Sequence, residues 1–267
     1  MSLVLYNNKT IMNVYILSLF ISLGINFLFF ILASNFKTDK FTDFTYGLTF
    51  ITLAIFFLLK NQTFYFFQVL LVAMVGIWGI RLIAYLLVRI LKIKKDRRFN
   101  KIRESLLEFL QFWVFQGLAV WVIMLPSIYL LNKTESKLLS PVMVLGIVIW
   151  ALGLLIETVS DWQKFTFKNN PKNKNLWIQS GLWKYSRHPN YFGEMLCWWG
   201  IFIFALPFLQ GLSWLTIFGP ISITFILLFA TGIPPLEKRY NSKYADNKKY
   251  QEYKKRTSIL IPLPQKG

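Results

Sequence analysis

Long runs of mainly apolar residues, separated by short polar segments, dominate the pattern along the chain. Five runs lie at residues 11–36, 44–59, 64–91, 109–132 and 138–156. Each is close to the roughly 20 residues that a helix needs to cross a bilayer. The 42 uncharged residues 195–236 are too many for one crossing and predict a helical hairpin with its turn at Pro207 and Gly211. The pattern therefore predicts an all-α, polytopic transmembrane bundle of about seven helices, forming a single integral membrane domain over residues 1–267.

Charged residues support the membrane interpretation. Hydrophobic residues make up 55% of the chain and charged residues 16%, with a net charge of +18. If the seven predicted helices are correct, loops on one side hold 24 of the 30 Lys and Arg residues and loops on the other side hold 4. The positive-inside rule then places the N-terminus outside and the C-terminus in the cytoplasm. The basic loops favour membrane lipids, phosphorylated cofactors or acidic substrates, and they argue against a nucleic-acid partner.

Cysteine and histidine usage restricts the possible chemistry. The chain has one cysteine, Cys197, and one histidine, His188. This excludes an intramolecular disulfide, and it excludes paired-histidine or cysteine-cluster metal sites. Neither the Gly-x-Gly-x-x-Gly pattern nor the P-loop pattern occurs, so Gly146 and Gly153 are predicted to be helix-packing contacts rather than parts of a Rossmann or Walker site. We therefore predict no metal site and expect an organic cofactor, if there is a cofactor at all.

The segment 181–194 gathers polar and ionisable groups just before a long apolar run. Pro189 suits the first turn of a helix, where a missing N–H has no cost, so we predict a helix that begins there. Arg187 offers a forked donor that can hold phosphate or carboxylate, next to a helix N-terminus that favours anions. Asn190 or Tyr191 then shares a helix face with Glu194. The alternative is a membrane-interface segment whose tyrosines and cations lie at the headgroup level.

Further polar groups are predicted on the same side of the membrane. They are Glu157, Asp161, Gln163, Glu237, Arg239, Tyr250 and Tyr253. Glu157 and Asp161 lie four residues apart and share a helix face, and such acids can accept hydrogen bonds from ribose hydroxyls. An acid inside a span costs roughly 2.5–3.5 kcal/mol at the helix centre, so its presence indicates a partner or a function. For the tail, however, tyrosines and lysines beside a membrane are also ordinary.

Several motifs together resemble a known family. They are the Arg-His-Pro-Asn-Tyr run within 181–194, residues 42–47, residues 78–82 with Arg89, residues 157–165, and residues 234–239 followed by Tyr250, Tyr253 and Thr257. In this order they are similar to the uncharacterised membrane-protein family allied to the steroid 5α-reductases. The wider superfamily includes NADPH-dependent steroid and sterol reductases and isoprenylcysteine carboxyl methyltransferases. The resemblance implies C-terminal helices and cytoplasmic loops that close a cofactor pocket, and a lipid-like substrate that enters from the bilayer.

The resemblance also assigns roles to residues. The cofactor site it implies is lined by Asp161, Tyr185, Arg187, His188, Asn190, Tyr191, Glu194, Glu237, Arg239 and Tyr253, to which the polar pattern adds Glu157, Gln163 and Tyr250. The candidate catalytic residues are Asp43, Trp78, Arg81 and Glu194, the first three nearer the substrate. Residues 1–108 would then form the substrate side and 109–267 the cofactor side. Trp78 stands where the reductases have a tyrosine thought to polarise the substrate carbonyl, which weakens the expectation of 3-keto-steroid reduction.

Three functions are compatible with these residues and motifs. The leading one is an NADP(H)-dependent reductase of a conjugated double bond in a steroid-like or other lipid substrate. The second is an S-adenosylmethionine-dependent methyltransferase of a lipid or prenylated substrate, in which Arg187 would hold the carboxylate of the cofactor. The third is a non-enzymatic lipid-binding or transport scaffold, which predicts polar groups in the middle of the membrane rather than at one edge.

Overall fold

The fold is helical throughout the part of the chain that the structure describes. A computed structural model describes residues 2–38, 40–93 and 105–265. Within these ranges it contains ten α-helices, joined by short 3₁₀ turns and one π-helical turn. They are α1 (Ser2–Asn35), α2 (Lys40–Asn61), α3 (Phe66–Ile93), α4 (Leu106–Ile123), α5 (Leu125–Leu131), α6 (Pro141–Asn169), α7 (Pro189–Ala205), α8 (Phe218–Phe225), α9 (Ile233–Lys243) and α10 (Lys248–Arg256).

Seven segments of the described chain are long and apolar enough to cross a membrane, which confirms the predicted polytopic bundle. They are Met12–Asn35, Lys40–Asn61, Phe66–Val88, Leu106–Ile123, Pro141–Asn169, Pro189–Phe208 and Gly211–Lys243. The predicted hairpin over 195–236 is present, with its turn between Pro207 and Gly211 as the sequence indicated. The predicted polar loop at 92–108 falls mostly on residues 94–104, outside the described residues, as does the side chain of Arg89.

The fourth predicted span is interrupted. The sequence pattern predicts one helix over 109–132, but α4 ends at Ile123 and a separate short helix, α5, begins at Leu125. Pro126 lies at the start of α5 and has no N–H to continue the ladder of the preceding helix, which accounts for the break.

The described residues divide into two compact units. Unit 1 consists of Met1–Met143 and Phe204–Gly219, and unit 2 consists of Val144–Ile203 and Pro220–Gly267. In unit 1, α1 turns a polar stripe inward: Ser18, Ser22 and Asn26 are buried at four-residue spacing, while apolar side chains such as Phe20 and Phe27 are exposed. Ser22 donates to the carbonyl of Gly117, and Gln116 donates to Asn26 at 3.0 Å. Such interhelical hydrogen bonds hold membrane helices together, since lipid tails supply no hydrophobic drive between them.

A second polar group in unit 1 lies at the junction of α2 and α3, and we name it the Gln68 cap. The buried Gln68 amide donates to the carbonyls of Leu131 and Lys133, both at 3.0 Å. Its carbonyl oxygen accepts from the Thr63 hydroxyl and the Tyr65 backbone N–H. The cap therefore satisfies carbonyls at the end of α5, where no intrahelical donor follows.

In unit 2, glycines bring the backbones of α6 and α7 into direct contact. A Cβ on Gly193 would lie 2.6 Å from both the Glu157 nitrogen and the Gly153 oxygen, so no side chain fits there. Gly200 meets the backbones of Trp150 and Gly146 in the same way. The small residues act as packing contacts, as the sequence predicts for Gly146 and Gly153. The helix α7 begins at Pro189, also as predicted.

The last membrane segment ends irregularly. After α8 the chain makes a π-helical turn at Ile226–Ala230, and α9 follows from Ile233 with Pro234 in its first turn. The polar helix α10 then buries Tyr250 and Tyr253 and exposes Lys248, Lys249 and Lys255. Beyond it, residues 257–263 run back toward the segment that precedes α7 and form backbone hydrogen bonds with it.

Candidate functional site

The segment that precedes α7 is anchored on the end of α6. Gly181 adopts a φ of +60°, a left-handed conformation that glycine tolerates, and its position leaves room for the Gln163 side chain. The Gln163 carbonyl oxygen accepts from the Leu182 N–H at 3.0 Å. The Trp183 indole donates to the Ser160 carbonyl at 3.0 Å. These two hydrogen bonds to α6 therefore fix the path of the backbone just before Arg187 and His188.

The tail holds the other side of this segment. Ser186 and Ser258 form an isolated parallel β-bridge, and the Arg187 N–H donates to the Ser258 carbonyl at 2.8 Å. The Ser186 hydroxyl donates to the Leu260 carbonyl at 2.6 Å. From α10, the Tyr253 hydroxyl donates to the Trp183 carbonyl at 2.8 Å. The tail is thus tied to the segment mainly through backbone atoms.

Glu237 of α9 joins the two functional side chains of the segment. One carboxylate oxygen lies 2.5 Å from an Arg187 Nη, and the other lies 2.9 Å from His188 Nε2. All three side chains are largely buried, with 11%, 3% and 15% of the side chain exposed for Arg187, His188 and Glu237. Because the carboxylate can only accept, His188 Nε2 carries the proton in this contact. We call these three residues the ionic centre.

His188 is held in its neutral form. Burial lowers its pKa below the usual value of 6.5, and the charges of Lys164 and Arg187 lower it further, against the opposing effect of Glu237. A neutral imidazole that donates through Nε2 presents an acceptor at Nδ1. His188 can therefore accept a hydrogen bond from a ligand hydroxyl while it donates to an anion.

Several buried polar atoms around the ionic centre have no hydrogen-bond partner among the described residues. Within the described residues, the buried atoms without a partner include Arg187 Nε, Trp177 Nε1, His188 Nδ1 and Asn190 Oδ1. The first two are donors and the last two are acceptors in the arrangement above. Buried polar groups nearly always have a partner, so this concentration of unpaired atoms indicates a place for a ligand.

A small cavity of about 30 Å³ opens on the ionic centre. Its lining consists of Lys164, Trp177, Ile178, Trp183, Arg187, His188, Glu237, Tyr240, Tyr250 and Tyr253. The Lys164 ammonium lies 4.5 Å from the centroid of the Trp183 ring, which keeps a second positive charge beside Arg187. The volume holds roughly one water molecule.

Aromatic rings form one wall of this cavity. The Trp177 ring lies 5.1 Å from the Tyr250 ring and 6.3 Å from the Tyr253 ring, centroid to centroid. Burial raises the pKa of Tyr250 to about 12 and raises the pKa of Tyr253 as well, so both phenols stay protonated at neutral pH. The wall is therefore uncharged and aromatic, with its rings inclined to one another, and a ligand ring could pack against one of them.

The structure brings only part of the predicted cofactor set to the cavity. Arg187, His188, Glu237, Tyr250 and Tyr253 line it. Tyr191 stacks on the His188 ring at 5.7 Å with an interplanar angle of 7°, and Gln163 holds the backbone of Leu182. The side chains of Tyr185 and Arg239 are exposed and lie outside the lining.

The predicted acids in unit 2 are buried on the packed helices. Glu157 and Asp161 lie in α6 and Glu194 lies in α7. The close contact of Gly193 with the Glu157 backbone places Glu157 and Glu194 in the same helix-packing region. None of the three acids belongs to the described residues that line the cavity.

The three predicted substrate-side residues lie in unit 1. Trp78 of α3 is buried and makes edge-on contacts with Phe50 and Tyr46, with ring centroids 5.1 and 6.5 Å away. The Arg81 guanidinium lies 5.9 Å from the centroid of the Tyr85 ring. Asp43 lies in the first turn of α2 and is partly buried. The tyrosine that contacts Trp78 was not among the sequence candidates.

Sequence reasoning missed five residues of the cavity: Lys164, Trp177, Ile178, Trp183 and Tyr240. Tyr240 follows Glu237 by three residues and so shares its helix face, a signal that was present in the sequence. Lys164 and Trp177 carried no such signal, since a lysine near the end of a span and a tryptophan in a polar segment are ordinary. Among the described residues no group of three or more His, Cys, Asp or Glu side chains could hold a metal ion.

Comparisons with known proteins find one family model that matches most of the chain and several partial relatives. The model of a family described as "Protein of unknown function (DUF1295)" matches residues 29–257. The chain is 32% identical over 108 residues to a probable O-methyltransferase, ustE, of Ustilaginoidea virens, across 40% of this chain and 36% of the relative. It is 27% identical over 129 residues to the 3-oxo-5-alpha-steroid 4-dehydrogenase 1 of Rattus norvegicus, across 48% of this chain and 44% of the relative.

The 3-oxo-5-alpha-steroid 4-dehydrogenase 1 of Mus musculus is 26% identical over 129 residues, across 48% of this chain and 45% of the relative. The matched regions thus span less than half of the length of these relatives. No solved structure matches the chain. The resemblance inferred from the motifs, to an uncharacterised family allied to the steroid 5α-reductases, is confirmed.

Proposed function

We propose a function for this chain, which belongs to the DUF1295 family of proteins of unknown function: it is a membrane-embedded reductase that uses NADPH to reduce a conjugated double bond in a steroid-like or other lipid substrate. The observation that carries the proposal is the ionic centre with its unpaired donors and acceptors. A phosphate would accept from Arg187, and ribose hydroxyls would donate to His188 Nδ1. This mixed donor and acceptor set suits a phosphorylated nucleotide.

The similarity to the rat and mouse 3-oxo-5-alpha-steroid 4-dehydrogenases supports a reduction and a lipid-like substrate. When bound, NADPH supplies a hydride for the electron-poor carbon of the double bond. The protein would hold the phosphate through Arg187 and place a flat ring against the wall formed by Trp177, Tyr250 and Tyr253.

On the substrate side, the proposed residues are Asp43, Trp78 and Arg81. A hydrogen-bond donor beside a substrate carbonyl stabilises the enolate that forms as hydride adds. The Trp78 indole N–H can donate a hydrogen bond but does not release a proton. Tyr46, whose ring contacts Trp78, carries the phenol that could supply the proton instead. Glu194 of unit 2 stays in the proposed catalytic set on the sequence motif alone.

The orientation belongs to the same proposal. The basic loops favour a cytoplasmic C-terminus, and that orientation would put the ionic centre on the side of the membrane where nucleotide cofactors occur. Membrane lipids and an apolar substrate would then approach from the bilayer.

An S-adenosylmethionine-dependent methyltransferase is the second candidate, favoured by the similarity to the probable O-methyltransferase. Here Arg187 would hold the carboxylate of the methionine part, and a substrate oxygen would take the methyl group and lose its proton. The aromatic wall would suit the adenine ring equally well. The ionic centre by itself is compatible with both candidates, so the cofactor must be tested directly.

The test is a titration of the detergent-solubilised protein with NADPH, NADH and S-adenosylmethionine, with thermal stability as the readout. A ligand at one hundred times its Kd stabilises the folded state by about 2.7 kcal/mol. We expect NADPH to stabilise the protein, and Arg187→Ala to abolish the effect. The matched control is Arg256→Ala, at an exposed position at the end of α10, which should respond as the wild type does.

The outcomes separate the candidates. Stabilisation by S-adenosylmethionine alone would rule out the reductase and favour the methyltransferase. No response to any of the three compounds would favour the non-enzymatic scaffold. A positive NADPH result leads to a screen of unsaturated lipids and 3-oxo steroids for substrate-dependent NADPH oxidation.

A further inference from the structure

We propose that the Glu237 carboxylate occupies the place of the ligand's anionic group, and that a phosphate-bearing ligand binds by displacing it from Arg187 and His188. This inference rests on the proposed function, because it takes the ligand to be a phosphorylated nucleotide. Glu237 would then be an internal competitor for the cofactor, and the contacts of the ionic centre would belong to a closed state of the site.

The geometry of Glu237 is that of a bound anion. Its two oxygens are divided between an arginine at 2.5 Å and a histidine at 2.9 Å, which come from adjacent positions of one segment. It is the one acid among the ten described residues that line the cavity, which also include Lys164 and Arg187. The lining therefore carries more positive than negative charge, and it suits an anion.

The unpaired atoms indicate an anion with more oxygens than a carboxylate. Glu237 leaves Arg187 Nε and Trp177 Nε1 without partners among the described residues. A phosphate offers at least one more acceptor oxygen and could engage the side of the guanidinium that Glu237 leaves unused. Exchange of the carboxylate for a phosphate would thus gain hydrogen bonds rather than merely replace them.

The size of the cavity requires such an exchange. Ligand pockets usually enclose roughly 300–1,000 Å³, whereas this cavity measures about 30 Å³. A nucleotide phosphate that reached Arg187 and His188 through this cavity would therefore meet the Glu237 carboxylate. Glu237 thus blocks access to Arg187 and His188, and its carboxylate is also the group that a ligand phosphate would best replace.

The connections of α9 identify what can move. The tail beyond α10 is fixed by the Ser186–Ser258 bridge and by the Leu260 contact. In contrast, α9 follows a π-helical turn, and prolines at positions 234 and 235 contribute no N–H to its first turn. The backbone at the start of α9 can therefore change conformation and let Glu237 move away. Residues 257–263 would keep their backbone hydrogen bonds to the segment before α7.

The decisive variant is Glu237→Gln, which keeps the shape and removes the charge. The probes are inorganic pyrophosphate, NADPH and S-adenosylmethionine, followed by thermal stability of the full chain. We expect pyrophosphate and NADPH to bind about tenfold more tightly to the variant than to the wild type, the factor that corresponds to the loss of one competing charge-assisted hydrogen bond. The matched control, Glu252→Gln at an exposed position of α10, should leave both affinities unchanged.

Weaker or unchanged binding of pyrophosphate to Glu237→Gln would overturn the inference, because it would mean that Glu237 contacts the ligand or only supports the fold. Tighter binding of pyrophosphate without any response to NADPH would support the displacement and refute the reductase. If S-adenosylmethionine instead binds more tightly, the displacement holds for a carboxylate ligand and the phosphate assignment fails.

A second measurement does not depend on the variant's folding. Hydrogen exchange of the wild-type protein with and without pyrophosphate should show faster exchange in residues 233–239 on binding, with residues 258–263 unchanged. Protection of residues 233–239 by the ligand would contradict the proposal, because the ionic centre would then close on the ligand instead of giving way to it.

Discussion

The Gln68 cap and the ionic centre are both clusters of buried polar side chains next to helix ends, yet they differ in what they leave unpaired. In the cap, the Gln68 amide group uses its donors on two carbonyls and its oxygen on two further donors. In the ionic centre, Arg187 Nε and His188 Nδ1 have no partner among the described residues. Buried polarity is thus common to both clusters, and the unpaired atoms beside the cavity are what leads us to propose a ligand at the ionic centre and not at the cap.

The partners differ as well. The cap binds backbone carbonyls, which cannot leave without unfolding the end of α5. In the ionic centre, Arg187 and His188 hold the side chain of Glu237, which the proposed displacement would release. This difference predicts that changes in the cap act on stability and that changes in the ionic centre act on ligand binding.

The largest expected effect is on the cap. Gln68→Leu should lower the free energy of unfolding by about 3 kcal/mol or more, because each buried group that loses its partner costs about 1–3 kcal/mol. Denaturation of the solubilised variant measures the loss. The control is Gln111→Leu, at an exposed position of α4. If Gln68→Leu instead changed the response to NADPH and left stability intact, the division between the two regions would fail.

The next effect concerns the guanidinium fork of the ionic centre. Arg187→Lys keeps the positive charge but removes the second donor side, so NADPH affinity should fall by about tenfold. The drop in stability should be smaller than for Gln68→Leu. Ligand titration of thermal stability measures both quantities. Lys184→Arg, at an exposed position in the same segment, should leave binding as in the wild type; an equal loss there would mean that the effect is not specific to the guanidinium of Arg187.

A third prediction uses pH. The folded-state pKa of His188 lies below its usual value of 6.5 because burial disfavours the charged form. The unfolded chain therefore takes up the proton first, so stability is complete above about pH 6.5 and is lost as the pH falls, by up to about 1.4 kcal/mol per pH unit. Unfolding measured between about pH 7 and about pH 5 should show the slope.

His188→Gln should flatten the pH slope in that range while the Gln68 cap, which contains no group that titrates there, contributes nothing to it. A slope that persists in His188→Gln would assign it to the acids of the chain instead.

The smallest expected effect compares two phenols. Tyr253→Phe removes a buried hydrogen bond to the Trp183 carbonyl and should cost about 1 kcal/mol of unfolding free energy. Tyr65→Phe removes an exposed bond to the Thr134 carbonyl and should change it by less than about 0.5 kcal/mol. Equal losses would show that the tail contact at Trp183 is no more important than a surface contact.

The sequence predicted the helices well, because span length and the absence of charge are direct consequences of the hydrocarbon core. It also predicted the start of α7 at Pro189, since proline is suited to that position. It did not predict the break at Met124, although Pro126 lies close by, because a proline near a helix end is compatible with either outcome.

Residues of the candidate site could be predicted only where their side-chain type was unusual for its place in the sequence. Arg187, His188 and Glu237 stood out as ionisable residues beside apolar runs. Trp177 packs on Tyr250 and Lys164 lies over the Trp183 ring, and these partners are far from them in the sequence. For the same reason the Gln68 cap, whose acceptors are carbonyls, left no pattern to find.

The backbone pairing of Ser186 with Ser258 also governs how this part of the gene can vary. Because main-chain atoms make most of these contacts, many side chains at 258–263 could be exchanged with little consequence. The number of residues between Glu237 and Ser258 is more restricted, since both residues contact the segment 186–188. An inserted or deleted codon within α9 or α10 should therefore disturb one of these contacts, so we expect these helices to tolerate substitution better than a change in length.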